Sequence, residues 1–380
     1  MEAENSEQLL QDSQKKKKIL YMTLIGLIIF VVLLAIILGL VFGLKKDDDD
    51  DDDEIEDDVE IVNSYDNTEE LMEKYKLENP VTFLDGIEKD IQNRLLTGFE
   101  NWNRGFKAWK KWGNILYTND SIYNVNGVRF TLAQYQKAMD ISLKQSNILL
   151  GAFHNMIING EYTAIFYDNC IINDGNMHNG TVMEFVWFKD YGKELRTRVA
   201  VGWGGTKGDN FNFMRVFQGD DERMVQDEKT QLLMNYQIPD IQNLTEKYPI
   251  LYPTEYLDKD KTNKFIEIIL EGFDKWNTGV ESYIDWLSEG YTEDAVSFGI
   301  GGKKRNMEEY KIELRTLATK QNIKKLYFYN ILARDDWAAI HYQYRIEYIE
   351  TNKKDTGDRM QFFKFKEEEN NYKIEASWIS

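Results

Sequence analysis

A chain of 380 residues exceeds the usual size of one domain, so two or three cores are expected, and 42% hydrophobic residues with 13% aromatic ones suffice to fill them. The net charge of −19 excludes general nucleic-acid binding, which needs basic surface to neutralise phosphates. A single cysteine, Cys170, excludes an intrachain disulfide framework and a Cys-based zinc site.

Residues 1–18 read as a polar tail ending in Lys15 to Lys18. Ile19 to Leu44 follows as 26 residues without a charge. At about 1.5 Å per residue such a helix is about 39 Å long, more than the roughly 30 Å hydrocarbon core, so it spans with tilt. A cleaved signal peptide has an apolar region of about 7–15 residues and a small-residue cleavage site. This run is longer and ends Gly43-Leu44-Lys45-Lys46-Asp47, so it reads as a retained, single-pass signal-anchor whose partner is the lipid bilayer. Four lysines precede it and two follow, which places the N-terminus in the cytosol and the C-terminal domains outside, luminal or extracellular.

Residues 45–84 are expected to be an acidic stalk and linker. Lys45 to Val62 alone carries twelve acidic residues and two lysines, and Asp47 to Asp58 is too charged to bury anything. Weak calcium binding is the other reading of that run, but EF-hand spacing is absent. Three glycosylation sequons, at Asn119, Asn179 and Asn243, are compatible with an external location.

Beyond the stalk the chain repeats itself. Thr97-Gly-Phe-Glu-Asn-Trp-Asn-Arg-Gly105 matches Glu271-Gly-Phe-Asp-Lys-Trp-Asn-Thr-Gly279. The same spacing pairs Trp112 with Trp286, Tyr117 with Tyr291 and Asp120 with Asp294; one residue of drift pairs Tyr135 with Tyr310 and Ala164-Ile-Phe-Tyr167 with Ala339-Ile-His-Tyr342. The reading is two homologous domains, 85–217 and 261–380, joined by a connector, 218–260, that holds three prolines and a helix near Glu228 to Tyr236.

In each copy the period changes in the same order. Ile91, Leu95, Phe99, Trp102, Phe106 and Trp109 recur at helical spacing, as do Phe265, Ile269, Phe273, Trp276, Val280 and Tyr283. Thr131 and Asn306 each stand three residues before Gln or Glu, the signature of a capped helix start. Ile340, Tyr342, Tyr344, Ile346 and Tyr348 then alternate with His341, Gln343, Arg345 and Glu347, a strand with one buried and one polar face. Thr181 to Phe188, Arg196 to Trp203, Met360 to Lys366 and Tyr372 to Ile379 are further strands, expected to form an antiparallel sheet on the preceding helices.

These residues resemble the SnoaL-like domains of the NTF2-like superfamily, which includes polyketide cyclases and ketosteroid isomerase. The resemblance rests on Asn277-Thr-Gly279 at the break between two helices, on Tyr291-Thr-Glu-Asp294-Ala295-Val296, on Asn103-Arg-Gly105 and Tyr117-Thr-Asn-Asp120 in the first copy, and on the closing Tyr372-Lys-Ile-Glu-Ala-Ser-Trp378. It implies an α+β fold of two cone-shaped domains, each with helices packed on a curved antiparallel sheet around an apolar pocket. It also implies that the isomerase's general base would fall at Val125 and Gly299, neither of which carries a proton.

No catalytic residue, cofactor or metal ligand is expected. His154, His178 and His341 are scattered, and Asp120 and Asp294 read as turn residues. The glycine-rich stretch from Gly202 to Gly208 lacks phosphate-loop spacing and reads as a turn, and Gly301 to Arg305 reads as a solvated loop. Trp102, Trp109, Tyr117, Tyr167, Trp276, Trp286, Tyr291 and Tyr342 are the candidates to line a pocket. The expected function is therefore a membrane-anchored, non-catalytic binding module for a small apolar ligand or a protein partner, the two copies packing as an intramolecular pseudo-dimer. A cyclase, isomerase or dehydratase in one copy, or a structural ectodomain, are the alternatives.

Overall fold

The computed structural model describes residues 59–62, 68–77, 86–118, 121–125, 128–144, 146–173, 175–189, 196–206, 235–299, 302–369 and 371–379. The expected membrane span and most of the stalk lie outside the described residues, as do Asn119, Asp120 and all but the end of the helix expected near Glu228 to Tyr236. Among the described residues, no helix is long and apolar enough to cross a membrane.

The first half contains α1 (Thr68–Lys74), α2 (Gly86–Arg104), α3 (Phe106–Leu116), β1 (Ile122–Val125), β2 (Val128–Thr131), α4 (Leu132–Leu143), β3 (Ser146–Asn159), β4 (Tyr162–Asn173), β5 (Asn176–Lys189) and β6 (Arg196–Thr206). The second half contains α5 (Leu244–Lys247), α6 (Lys259–Thr278), α7 (Val280–Gly290), β7 (Tyr291–Phe298), β8 (Lys304–Asn306), α8 (Met307–Lys320), β9 (Gln321–Arg334), β10 (Trp337–Tyr348), β11 (Lys354–Glu368) and β12 (Asn371–Ile379). Each half forms one six-stranded sheet, ordered β2-β1-β6-β5-β4-β3 and β8-β7-β12-β11-β10-β9, the same order twice. The sheets are not wholly antiparallel as expected. β1 pairs with β6, and β7 with β12, in parallel, because the chain returns to these short strands from the far end of the sheet.

Local chemistry explains the elements. Thr131 and Asn306 each accept a hydrogen bond from the backbone three residues on, and Gln134 and Glu309 return one, so both capping boxes form. Gly105, at φ +127°, makes the break between α2 and α3. Gly98 and Gly272 let an indole lie against the long helices; a Cβ there would meet Trp112 at 2.7 Å and Trp286 at 2.6 Å.

The asparagine of the repeated Asn-x-Gly motif ties helix to sheet. Asn103 bonds both the N–H and the carbonyl of Leu150 at 2.8 Å, and Asn277 bonds those of Lys325 at 2.9 and 2.7 Å. The indole N–H of the preceding residue does the same job: Trp102 donates to the Ile148 carbonyl at 2.8 Å, and Trp276 to that of Ile323 at 2.9 Å. These bonds fix which side chain of β3 and of β9 enters each interior.

The described part of the presumed linker is folded onto the first half. The Asn101 side chain bonds the backbone of Val62, and Tyr75 donates to Glu100 at 2.8 Å. The connector repeats this arrangement, with Tyr248 donating to Asp274 at 3.0 Å. Asn103 donates to the Tyr75 hydroxyl, and Asn277 to that of Tyr248, each at 3.1 Å. Leu71-Met-Glu-Lys-Tyr75 and Leu244-Thr-Glu-Lys-Tyr248 are therefore matching lead-in segments, a repeat that begins earlier than the helical periodicity indicates.

The two sheets meet face to face. Ile157, Ala164, Phe166, Met183 and Phe185 pack with Leu332, Ala339, Met360 and Phe362 in a shared core. This corrects the expectation of a polar outer face on β10. His341 is buried, between the rings of Phe185 and Tyr329, because the other sheet covers that face. At the rim Asn159 bonds both the carbonyl and the N–H of Ala333, at 3.2 and 3.0 Å, while Arg334 reaches the Ile158 carbonyl and the carboxylate of Glu88 at 2.9 and 3.0 Å. Both side chains of that ion pair are excluded from water.

Arg334→Met would leave Glu88 charged and short of its guanidinium, and should cost about 3–5 kcal/mol in urea unfolding of the full chain. The double variant E88L/R334M, apolar on both sides, should cost less than R334M alone. Wild-type stability in R334M would remove the pair from the account of how the halves are joined.

Candidate active or binding cavity

The inward face of β5 carries Val182, Glu184, Val186 and Phe188, and the other three belong to the apolar core of the first half. Glu184 is thus a carboxylate at a core position. It lines a cavity of about 70 Å³, roughly two or three waters in size, walled by Phe99, Trp102 and Trp109 from the helices and by Leu150, Tyr167 and Glu184 from the sheet. Tyr117, Tyr123 and Tyr135 also line it, and among the described lining residues none is cationic.

Glu184 accepts a short hydrogen bond from the Tyr167 hydroxyl. Burial raises its carboxyl to about 7, with the Tyr167 bond opposing the rise. The residue keeps part of its surface open to the cavity. Tyr117 and Tyr123 share a hydroxyl hydrogen bond, and Tyr123 stacks on Tyr135 at 4.0 Å. Burial, and then the nearby Glu184 charge among the lesser causes, hold all four phenols well above their ordinary value. At neutral pH the cavity therefore offers one group able to give or take a proton, Glu184, backed by a phenol donor, Tyr167.

The second half differs at the same positions. Register places Ile165 opposite Glu184 in one sheet and Ile340 opposite Gln361 in the other, so the carboxylate is replaced by an amide. Tyr167 faces Val182, whereas Tyr342 faces Arg359. Leu150, the residue held by Asn103, is replaced by Lys325, held by Asn277. Lys325 is buried, its Nζ 4.3 Å from the ring centroid of Phe273, 5.0 Å from Trp276, 5.4 Å from Tyr283 and 5.7 Å from Tyr342. Burial, reinforced by the Arg359 charge, lowers its ammonium to about 7, while the ring faces favour the charged form.

Of the sequence candidates, Trp102, Trp109, Tyr117 and Tyr167 lie together in the first-half cavity. Trp276 and Tyr342 surround Lys325, whereas Trp286 and Tyr291 pack edge to face at 5.9 Å within the second core. Val125 is buried in the first core. Gly299 lies under the Arg305 guanidinium, where a Cβ would meet Nη2 at 1.4 Å, so any side chain there would have to displace Arg305. Arg305 in turn pairs with Glu313 at 2.8 Å, and the run expected to turn at Gly202 continues β6 through Thr206. Asp294 is exposed within β7 rather than in a turn. Asn179 is exposed on β5, and Asn243 is exposed as the N-cap of α5. His154 pairs with Asp168 at 2.7 Å on the surface. Among the described residues, no cluster of three His, Cys, Asp or Glu could hold a metal ion.

No protein-family model and no curated protein matches this chain. Solved structures similar to it include a ketosteroid isomerase-like protein from Erwinia carotovora atroseptica SCRI1043, at 11% identity over 32% of this chain and 97% of that one, TM-score 0.28. A protein assigned as a SnoaL-like polyketide cyclase from Jannaschia sp. CCS1 is 11% identical over 31% of this chain and 85% of its own, TM-score 0.27. An NTF2-like protein of unknown function from Pseudomonas putida KT2440 is 11% identical over 33% and 89%, TM-score 0.27. Each likeness extends over about a third of this chain.

The raised Glu184 has a consequence for stability. Between its ordinary value of 4.5 and about 7 the folded chain holds a proton that the unfolded chain has lost. The linked stability is fully present below about 4.5 and is lost as pH rises through 7, roughly 3 kcal/mol in all. Urea midpoints of wild type should therefore fall between pH 5 and pH 8 relative to those of Glu184→Gln; parallel curves would contradict the raised carboxyl.

Proposed function

We propose that this chain is a membrane-anchored protein with two NTF2-like domains, the first of which binds a small, largely apolar ligand. The observation that carries this reading is the aromatic cavity with a single inward carboxylate, Glu184, hydrogen-bonded by Tyr167. Apolar walls with one or two convergent polar groups suit the capture and orientation of such a ligand. The second domain is a scaffold: the shared core and the Glu88–Arg334 pair support its packing on the first as an internal pseudo-dimer. The 26 uncharged residues from Ile19 to Leu44 support the anchor, and the lysine imbalance supports external domains.

The full-length chain titrated with ethanol should show one saturable site that quenches tryptophan emission, because Trp102 and Trp109 form its wall. Leu150→Trp, which fills the space, should abolish it; no saturable quenching in wild type would end the binding reading. A second reading, proton-transfer catalysis in the first domain, is favoured by Glu184 lying near neutrality. It would replace the first if the chain exchanges the α-protons of acetone in D2O and Glu184→Gln does not. For the anchor, the chain should stay in the membrane pellet after carbonate extraction; release into the supernatant would refute it.

A further inference from the structure

The second half contains an ammonium group in the place where the first half has a cavity. Four rings lie within 6 Å of the Lys325 Nζ: Phe273, Trp276, Tyr283 and Tyr342. Their counterparts in the first half, by repeat spacing and strand register, are Phe99, Trp102, Trp109 and Tyr167, all four of which wall the cavity. The backbone position that supplies Lys325 is pinned by Asn277 as Leu150 is pinned by Asn103, so the two side chains enter equivalent interiors. Leucine stops short of the rings, and the cage in the first half stays open.

The walls around that open cage also change in charge. Arg359 stands beside Tyr342, where the first half has Val182 beside Tyr167. Gln361 gives way to Glu184, and the described lining of the cavity includes no cation. An aromatic cage open at the position of an ammonium, with a carboxylate added and a competing guanidinium removed, is arranged for a cation. We infer that the ligand of the first half is a small primary alkylammonium, bound where the second half holds its own Lys325, with Glu184 as its counter-ion.

This rests on the ligand-binding reading above and names the chemical class. Ethylammonium matches the tip of a lysine side chain beyond the reach of Leu150 and suits the size of the cavity, and ethanol is its neutral counterpart. Calorimetric titrations of the full-length chain at pH 8, where Glu184 is mostly ionised, should show ethylammonium binding at least tenfold tighter than ethanol. Glu184→Gln should erase that preference while leaving ethanol binding in place, which a general loss of structure would not do. Leu150→Lys should place a tethered ammonium in the cage and abolish ethylammonium binding, with a melting temperature no lower than that of Leu150→Gln as the check that it folds. Ethanol binding as tightly as ethylammonium, or an unchanged preference in E184Q, would overturn the ammonium assignment and leave the cavity as a ligand site. Failure of both probes to bind would overturn both.

Discussion

The arrangement depends on burying one face of each sheet against the other. A strand with helices on one side and water on the other tolerates charge at every second position, but here the middle of β4 and β10 is enclosed on both sides. That enclosure demands apolar or fully paired groups on the second face, and the shared core of Phe166, Phe185, Met360 and Phe362 meets it. Fully burying such side chains is worth about 1.5–3 kcal/mol each. The buried Glu88–Arg334 pair and the reciprocal contacts of Asn159 and Arg334 with the opposite backbone then fix the register of one sheet on the other. An ion pair in this position contributes specificity more than net stability, since desolvation offsets most of its Coulomb attraction.

With the outer faces thus committed, the interiors are free to differ. Both are built from the same parts: a long helix with a glycine to seat an indole, an asparagine gripping one residue of the first long strand, and an aromatic set converging from helices and sheet. Three substitutions change their charge: Leu150 against Lys325, Val182 against Arg359, and Glu184 against Gln361. All lie on inward positions, where surrounding rings limit solvation and a single charge sets the electrostatic character of the space. The first interior becomes an acidic cavity, and the second a cationic, self-occupied one.

Much of the frame was legible beforehand. Helical spacing at Phe99 and Trp102, the capping boxes at Thr131 and Asn306, and the period-two strands follow from rules that act within a few residues, and the structure has them where the pattern puts them. The lead-in segments at Leu71 and Leu244 fall in stretches that read as linker and connector, because such short helices hold too few apolar positions to show a period. Glu184 left a fainter trace, a lone acidic residue in an otherwise apolar alternation from Val182 to Phe188; on sequence alone that pattern is equally consistent with an exposed strand face. His341 illustrates the converse. It alternates as a polar-face residue and is nevertheless buried, because the surface that covers it comes from β5 in the other half of the chain.

The amino-acid sequence by itself determined the repeated motifs, the order of helices and strands in each half, and the uncharged stretch that reads as a membrane span. These depend on spacing along the chain, which composition and periodicity record directly. Only the tertiary structure decided which faces of the strands meet, which aromatic residues converge, and that one interior holds an acidic and the other a basic side chain. Burial and electrostatic neighbourhood are set by residues far apart in sequence: the roughly neutral-range titration of Glu184 comes from rings on α2, α3, α4 and β4 closing around one carboxylate.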